Sequence, residues 1–466
     1  MVDFGLIEEW SPAPGHLVSW SASVESRARA ALAPAHPTPP SHQQEVYLAS
    51  AHRHADAGFR YSGLCVVTAE VPAALDRDAM TRAVNAFLSR HDTFRSWFAP
   101  ESGRIVRHVI EPGDMEFVPV DHGRVEDAEA IRQHVQDDTP GPFQWDCFTF
   151  GVIEHGESCT VYLAVDHLHT DGVAQYISCY ELANLYAREI GEEAVALPTP
   201  ASHLDYCARE RAETAELTLG SPGVRRWIEL LRGNDGSLPT FPLDLGTRGG
   251  GDAYIRSAHV TVPLLDEAAA LRFEKACAEV GAAFTGGVFA AAAMAERELA
   301  GRDYYFNMTP ISTRGSVAEL ISVGWYATLV PVAFPVGATA NFERLVRSAQ
   351  RAYDNALKLT AVSPHRVLQL IPQDMGFDVS PDWAAPMISY VDARDFAGHQ
   401  FFDLVNGGVY ANRAASEEVL LWINRLPSGT SLSAIYPDTP AAHESVQRYI
   451  AAVRRAFAAA SESMAR

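Results

Sequence analysis

The sequence predicts an α/β protein of two lobes. Its 466 residues exceed the roughly 100–200 that one core usually holds. Strand-like and helix-like apolar spacings alternate in both halves, and a Gly/Pro/Asp-rich stretch from Leu231 to Ile255 interrupts both. Interleaved strands and helices favour sheets covered by helices. No short-period repeat is present.

Following the chain, Ala33 to Pro40 (APAHPTPP) is too proline-rich for a helix or a central strand and is expected to be extended, with the first lobe starting just after it. Leu64–Val71 is the first predicted strand. In Leu75–His91 the apolar residues Leu75, Ala79, Met80, Ala83, Val84, Phe87 and Leu88 recur three and four apart, which makes one helical stripe to pack on a sheet. Thr160–Val165 alternates Val161, Leu163 and Val165 against Tyr162 and Ala164, a strand pattern, and the helix Val173–Ile190 follows it.

After the break the pattern resumes. Predicted in order are strand Ala258–Leu265, helices Asp266–Val280 and Thr285–Leu299, strands Tyr304–Met308 and Trp325–Phe334, helix Phe342–Leu359 and strand Met387–Val391. Strands Gly408–Ala411, Val419–Asn424 and Leu432–Tyr436 precede a terminal helix, Ala442 to Ala460. The expected division is an N-terminal extension over 1–40, an N-terminal lobe over 41–230, a linker over 231–257 and a C-terminal lobe over 258–466.

With 47% hydrophobic and 20% charged residues the composition is that of a globular protein. A formal net charge of −21 repels nucleic-acid backbones and anionic headgroups, so nucleic acid is not an expected partner. Only two basic residues are lysines, Lys275 and Lys358. Six cysteines without a CxxC pair suggest neither a disulfide framework nor a thiolate zinc site, and fit a reducing cytoplasm. Met1 to Trp10 carries acidic residues where an export signal has a basic start, and Val288 to Ala295 is far shorter than the ~20 residues of a membrane span. The expected location is the cytoplasm, with at most a peripheral place at the inner membrane face.

The densest ionisable run at a strand-to-helix junction is Asp166-His167-Leu168-His169-Thr170-Asp171-Gly172. Such a turn presents side chains beyond the end of a sheet, where sites form. A histidine there can serve as general base, Asp171 can orient its surroundings, and Gly172 can allow close approach or positive φ. A bland alternative is a solvated turn with a capping aspartate. His167, His169 and Asp171 also match the start of the HxHxDH zinc signature of metallo-β-lactamase-like hydrolases, but Gly172 stands at the sixth position and no later stretch offers an obvious supply of further histidines after a strand, so no metal is expected. GxSxG, HExxH, GxxxxGK[ST] and a strand-following GxGxxG are absent. Gly249-Gly250-Gly251 is taken as linker flexibility, and His203 and Asp244 as structural residues.

At His167–Gly172 the chain resembles the HHxxxDG signature of the condensation-domain acyltransferase superfamily, His167 matching its second histidine. Ser89–Phe98 (SRHDTFRSWF) is similar to the family's RHExLRTxF segment, His203–Ala208 to YxDYA, and Arg226–Gly233 with Leu238–Asp244 to YWxxxLxG and its proline-rich crossing. Thr309–Arg314 resembles TPxxxR, Val323–Thr328 resembles IGxFVNT, and Ser363–Val367 a later proline turn, all in family order. RHDTFRSWF, WDCFTFGVI, DHLHTDG and GGVYANR read like the polyketide-associated protein (Pap) acyltransferases of actinobacteria, in particular the trehalose-acylating branch of glycolipid biosynthesis. Asp166 departs from the wider family, which has histidine there.

This resemblance implies two chloramphenicol-acetyltransferase-like lobes in a V-shaped pseudo-dimer with a tunnel at their interface. It implies transfer of an acyl group from a thioester, acyl-CoA or acyl carrier protein, to a hydroxyl of a sugar such as trehalose, with no cofactor. His167 would be the base, with Asp166, Asp171 and Gly172 supporting the motif. Asp171 would pair with Arg314 across the lobes, and Trp325, Tyr326 and Thr328 are candidates for lining the tunnel. The alternative is a stand-alone condensation enzyme forming an amide or ester from a carrier-bound acyl group.

Overall fold

A computed structural model describes residues 3–54, 63–247, 255–337, 341–378, 383–395 and 404–463. The run Gly249–Gly251 lies outside these. In chain order the strands are β1 Asp3–Leu6, β2 Gly15–Ala22, β3 Ala35–His36, β4 Leu64–Val71, β5 Ser96–Glu101, β6 Arg104–Val109, β7 Phe117–Val125, β8 Phe148–Glu154, β9 Cys159–Asp166, β10 Ser257–Asp266, β11 Tyr304–Ser312, β12 Ala327–Pro335, β13 Met387–Asp392, β14 Gly408–Ala411, β15 Leu420–Leu426 and β16 Gly429–Pro437. The helices are α1 Val24–Ala31, α2 His42–Arg53, α3 Arg77–Arg90, α4 Ala128–Asp138, α5 Gly172–Glu189, α6 His203–Ala215, α7 Pro222–Gly233, α8 Glu267–Glu279, α9 Phe284–Ala300, α10 Val317–Leu320, α11 Phe342–Leu357, α12 Pro364–Leu370 and α13 Pro440–Ser463.

These elements form two compact units. The first holds residues 1–212, 314–327 and 396–414; the second holds 213–313, 328–395 and 415–466. The chain therefore leaves the first unit within α6, ahead of the 231–257 segment to which the sequence analysis assigns the crossing, and later returns to it twice. Residues 238–245 of that segment pack in the second unit, where Leu238, Phe241 and Leu245 are buried and the Phe241 ring lies 5.0 Å from that of Tyr449 on α13.

The first unit is built on a seven-stranded sheet in the order β1-β14-β4-β9-β8-β2-β7, antiparallel except for β1 beside β14, with β3-β6-β5 as a smaller sheet. Central β9 is buried along its whole length. Its alternation sorts its side chains: Val161, Leu163 and Val165 join a core with α3 and α5, while Tyr162 and Ala164 join another with Ile131 and Val135 of α4. Asp76 caps α3, its Oδ1 accepting from the Ala79 amide at 2.9 Å.

This sheet begins earlier than expected. The proline-rich stretch up to residue 40 predicts a lobe that starts after it, yet β2 lies between β8 and β7. Val18, Trp20 and Ala22 enter the core of α3 and α5, Leu17 enters the other, and Ser19 is fully buried. The pattern GHLVSWSA hides the strand because small and polar residues occupy positions buried on both faces.

The second unit carries the sheet β10-β16-β15-β13-β11-β12, antiparallel from β10 to β15 and parallel between β15, β13 and β11. The alanine-rich α9 runs through its core with Ala290–Ala293 buried, because a helix this narrow can be packed on all sides, here by α8, α11 and α13. Among the described residues no single helix is long and apolar enough to cross a membrane.

Candidate active site

The site lies where β9 gives way to α5. Asp166 ends the strand, and its Oδ1 accepts from the Leu168 amide at 3.0 Å, closing one 3-10 turn over His167–His169. The Tyr47 hydroxyl donates to Asp166 Oδ1 at 2.9 Å and accepts from the Gly63 amide at 2.7 Å. The His167 amide in turn donates to the Gly63 carbonyl at 2.7 Å. Aspartate at the first motif position thus acts as the cap of the histidine turn, its carboxylate accepting from the Leu168 amide and the Tyr47 hydroxyl.

The His167 ring is partly buried, with its centroid 4.2 Å from that of Trp325, which meets Tyr47 edge-on at 5.7 Å. Its Nδ1 is fully occluded and has no hydrogen-bond partner among the described residues. Burial holds the imidazole pKa below its ordinary 6.5, against the opposing pull of its own backbone, the Asp171 charge and the Thr170 backbone. The ring is therefore neutral at pH 7, the state a proton acceptor needs.

Asp171 caps α5, its Oδ1 accepting from the Ala174 amide at 2.8 Å. The same carboxylate forms a bidentate pair with Arg314, at 2.7 Å to Oδ2 and 3.1 Å to Oδ1, and Oδ2 also accepts from the Tyr326 amide at 2.8 Å. Arg314 also donates to the carbonyls of Glu319 and Ser322, each at 3.1 Å. Asp171 so ties the histidine turn to the stretch that carries Trp325. Because residues 314–327 cluster with the first unit, this pair is internal to that unit, whereas the sequence expectation has it spanning two lobes.

The other predicted residues part company. Tyr326 is fully buried beside Arg314, His203 and Tyr206, with ring centroids 4.9 Å and 4.7 Å from the last two, so it belongs to an aromatic core. Thr328 is buried on β12 and falls in the second unit. The φ of Gly172 is not positive, and a Cβ there would meet no atom of this chain within 4 Å. His169, the second histidine of the turn, lies in the core. It is fully buried, its Nδ1 is 3.0 Å from the Thr93 hydroxyl, and burial with the charges of His203 and Arg107 lowers its pKa to about 3.

Further residues support the turn, and of these Gln44, Arg107 and Cys207 carry no sign of it in the sequence motifs. Gln44 donates to the Leu168 carbonyl at 2.9 Å and forms a capping box with Ser41 at the start of α2. The Ser-x-x-Gln spacing was a legible sign of that helix start. Buried Arg107 reaches the Gln44 amide oxygen at 3.2 Å and Cys207 Sγ at 3.3 Å. Burial pushes the Cys207 thiol up, but the charges of His203 and Arg107 outweigh it and hold the thiol below its ordinary range. His203 also approaches the Trp325 carbonyl at 3.3 Å. The RHDTF segment explains itself here: the His91 ring accepts from the Val323 amide at 3.3 Å, Asp92 accepts from the His203 amide at 2.8 Å, and Thr93 holds His169.

A histidine on a capped turn after the central strand, locked by an Asp–Arg pair, defines the class as a condensation-domain fold with its motif in place. The condensation-domain family is matched over residues 44–367; the chain belongs to that family and is an acyltransferase. It is 37% identical over 462 residues to the 2'-acyl-2-O-sulfo-trehalose (hydroxy)phthioceranyltransferase PapA1 of Mycobacterium tuberculosis (strain CDC 1551 / Oshkosh), covering 97% of this chain and 88% of that protein. With the trehalose-2-sulfate acyltransferase PapA2 of Mycobacterium bovis (strain BCG / Pasteur 1173P2) it shares 37% identity over 464 residues, covering 98% and 97%. The solved PapA2 acyl transferase superposes with a TM-score of 0.90 at 36% identity over 98% of this chain and 99% of that one. The first condensation domain of the calcium-dependent antibiotic synthetase, in complex with substrate analogue 2a, gives 0.66 at 19% identity over 91% and 97%, a likeness of fold.

Proposed function

We propose that this acyltransferase moves an acyl group from a thioester, acyl-CoA or an acyl carrier protein, to a hydroxyl of trehalose or a sulfated trehalose, with His167 as general base. The observation that carries the proposal is the neutral His167 ring, its Nδ1 occluded and its turn fixed by Asp166 and Asp171, in a chain whose relatives are named for trehalose acylation. His167 Nε2 takes the proton of the acceptor hydroxyl as its oxygen attacks the thioester carbonyl. The tetrahedral oxyanion collapses with loss of thiolate, which recovers the proton from the imidazolium. The thioester is already activated, so the chemistry calls for no cofactor. Cysteines that form no disulfide support a cytoplasmic setting, at or near the inner membrane face where a lipid product would be handed on.

The test incubates purified protein with short- and long-chain acyl-CoA, with trehalose, trehalose 2-sulfate or an amine acceptor, following thiol release and product mass. Ester from wild type and a loss of about 10²–10⁴-fold in His167→Ala is the expected outcome. Equal turnover by both proteins sinks the base assignment, and amide formation in place of ester moves the chain to the condensation reading.

A further inference from the structure

A second cluster of ligand-type side chains lies in the first unit, on the face of the sheet covered by α4. His134 and Asp138 stand one turn apart on α4 and share its face. Facing them is His122 of β7. The β2–β7 register passes from Leu17 opposite Gly123 to Val18 opposite Asp121, so His122 is the extra residue of a β-bulge, and Gly123 takes φ +75° beside it. Bulges re-aim a side chain, and this one brings the His122 ring to 4.2 Å from that of His134.

We propose that His122, His134 and Asp138 bind a divalent transition-metal ion of the zinc type, which fastens α4 to the β2–β7 edge. One ligand atom from each residue lies within 4.8 Å of the other two, and His134 Nε2 is 3.8 Å from Asp138 Oδ2. Zn–N and Zn–O bonds of about 2.0–2.2 Å set tetrahedral ligands ~3.4 Å apart, a closure that small side-chain rotations supply. Two imidazoles and one carboxylate suit zinc, cobalt or nickel and not magnesium or calcium. The present hydrogen bonds leave the set incomplete. Ser19 Oγ lies 2.8 Å from His122 Nε2 and 3.0 Å from Asp138 Oδ2, but His134 Nε2 is occluded without a hydrogen bond, as is the neighbouring Tyr162 hydroxyl. A metal would take the His134 lone pair and leave Ser19 or a water as fourth ligand. Among the described residues this is the cluster with ligand spacing; the His167 turn is not one.

The test uses full-length, untagged protein stripped with EDTA and titrated with Co²⁺, whose visible ligand-field bands report four-coordinate nitrogen and oxygen ligation, followed by displacement with Zn²⁺. We expect one equivalent bound, a raised unfolding temperature with Zn²⁺, and binding weakened about 100-fold or more in His134→Ala, since losing a ligand costs at least what losing a ligand's own support does. Asp138→Asn, which keeps the side-chain shape, must weaken Co²⁺ binding too, and covers the case of a misfolded alanine variant. His167→Ala should bind the metal as wild type does, which separates this site from the acyl-transfer reading. No Co²⁺ spectrum in wild type, or stoichiometric binding retained by His134→Ala and Asp138→Asn, overturns the proposal.

Discussion

His167 is held neutral by burial, and that fixes the direction of its pH response. Its active form is the free base, so kcat/KM should be flat at neutral pH and fall as pH drops through a value below 6.5, because the folded pKa lies beneath the ordinary one. An acid limb centred above 6.5 in wild-type profiles would contradict this. Asp171 acts on the histidine from behind. In Asp171→Asn the guanidinium of Arg314, nearly inaccessible to solvent, loses the carboxylate it is paired with, a break that costs about 3–5 kcal/mol. Denaturant midpoint and kcat should therefore fall together, and a drop in kcat with unchanged stability would place Asp171 at the substrate instead. His167, Asp171 and Arg314 were legible because their motifs occur in a fixed order. Gln44 and Tyr47 were not, since their contacts with backbone groups and single side chains leave no periodic trace in the sequence, whereas His203 is structural, as the sequence suggests.

The elements most legible were those with a regular apolar stripe or a β-branched run. The α3 stripe, Ala79, Met80, Ala83, Val84, Phe87 and Leu88, is buried as its spacing requires. β4 and β9 were legible through β-branched runs bounded by turns. Two-sided burial with small residues defeated the same logic in β2, which nonetheless pairs with β7 along its length. Trp20 measures its weight: the ring is buried, and its Nε1 donates to the Thr81 hydroxyl of α3 at 2.8 Å. Trp20→Ala should cost about 3–5 kcal/mol, read as a lowered urea midpoint. A change under about 1 kcal/mol would return residues 1–40 to the status of a dispensable extension.

At the scale of the whole molecule, two lobes were legible from length and alternation, but the path of the chain between them was not. The break at 231–257 is conspicuous because it lacks periodicity, while the returns at 314–327 and 396–414 look like ordinary loops and short strands of the second half. Yet β14 lies beside β1 and covers the edge of β4, Val323 joins the core of α3 and α5, and Arg314 answers Asp171. A chain of residues 1–230 alone would then expose β4, whose run LCVVTAEV is a hydrophobic edge of the kind that aggregates, and would leave Asp171 buried beside an empty place. Such a chain should show no cooperative unfolding transition. Full-length protein cut once between 248 and 254 should keep its two pieces together through chromatography, because the C-terminal piece still completes the first unit. A cooperative transition in residues 1–230 by themselves, or separation of the cut pieces without denaturant, would show that the returning segments decorate the first unit without completing it.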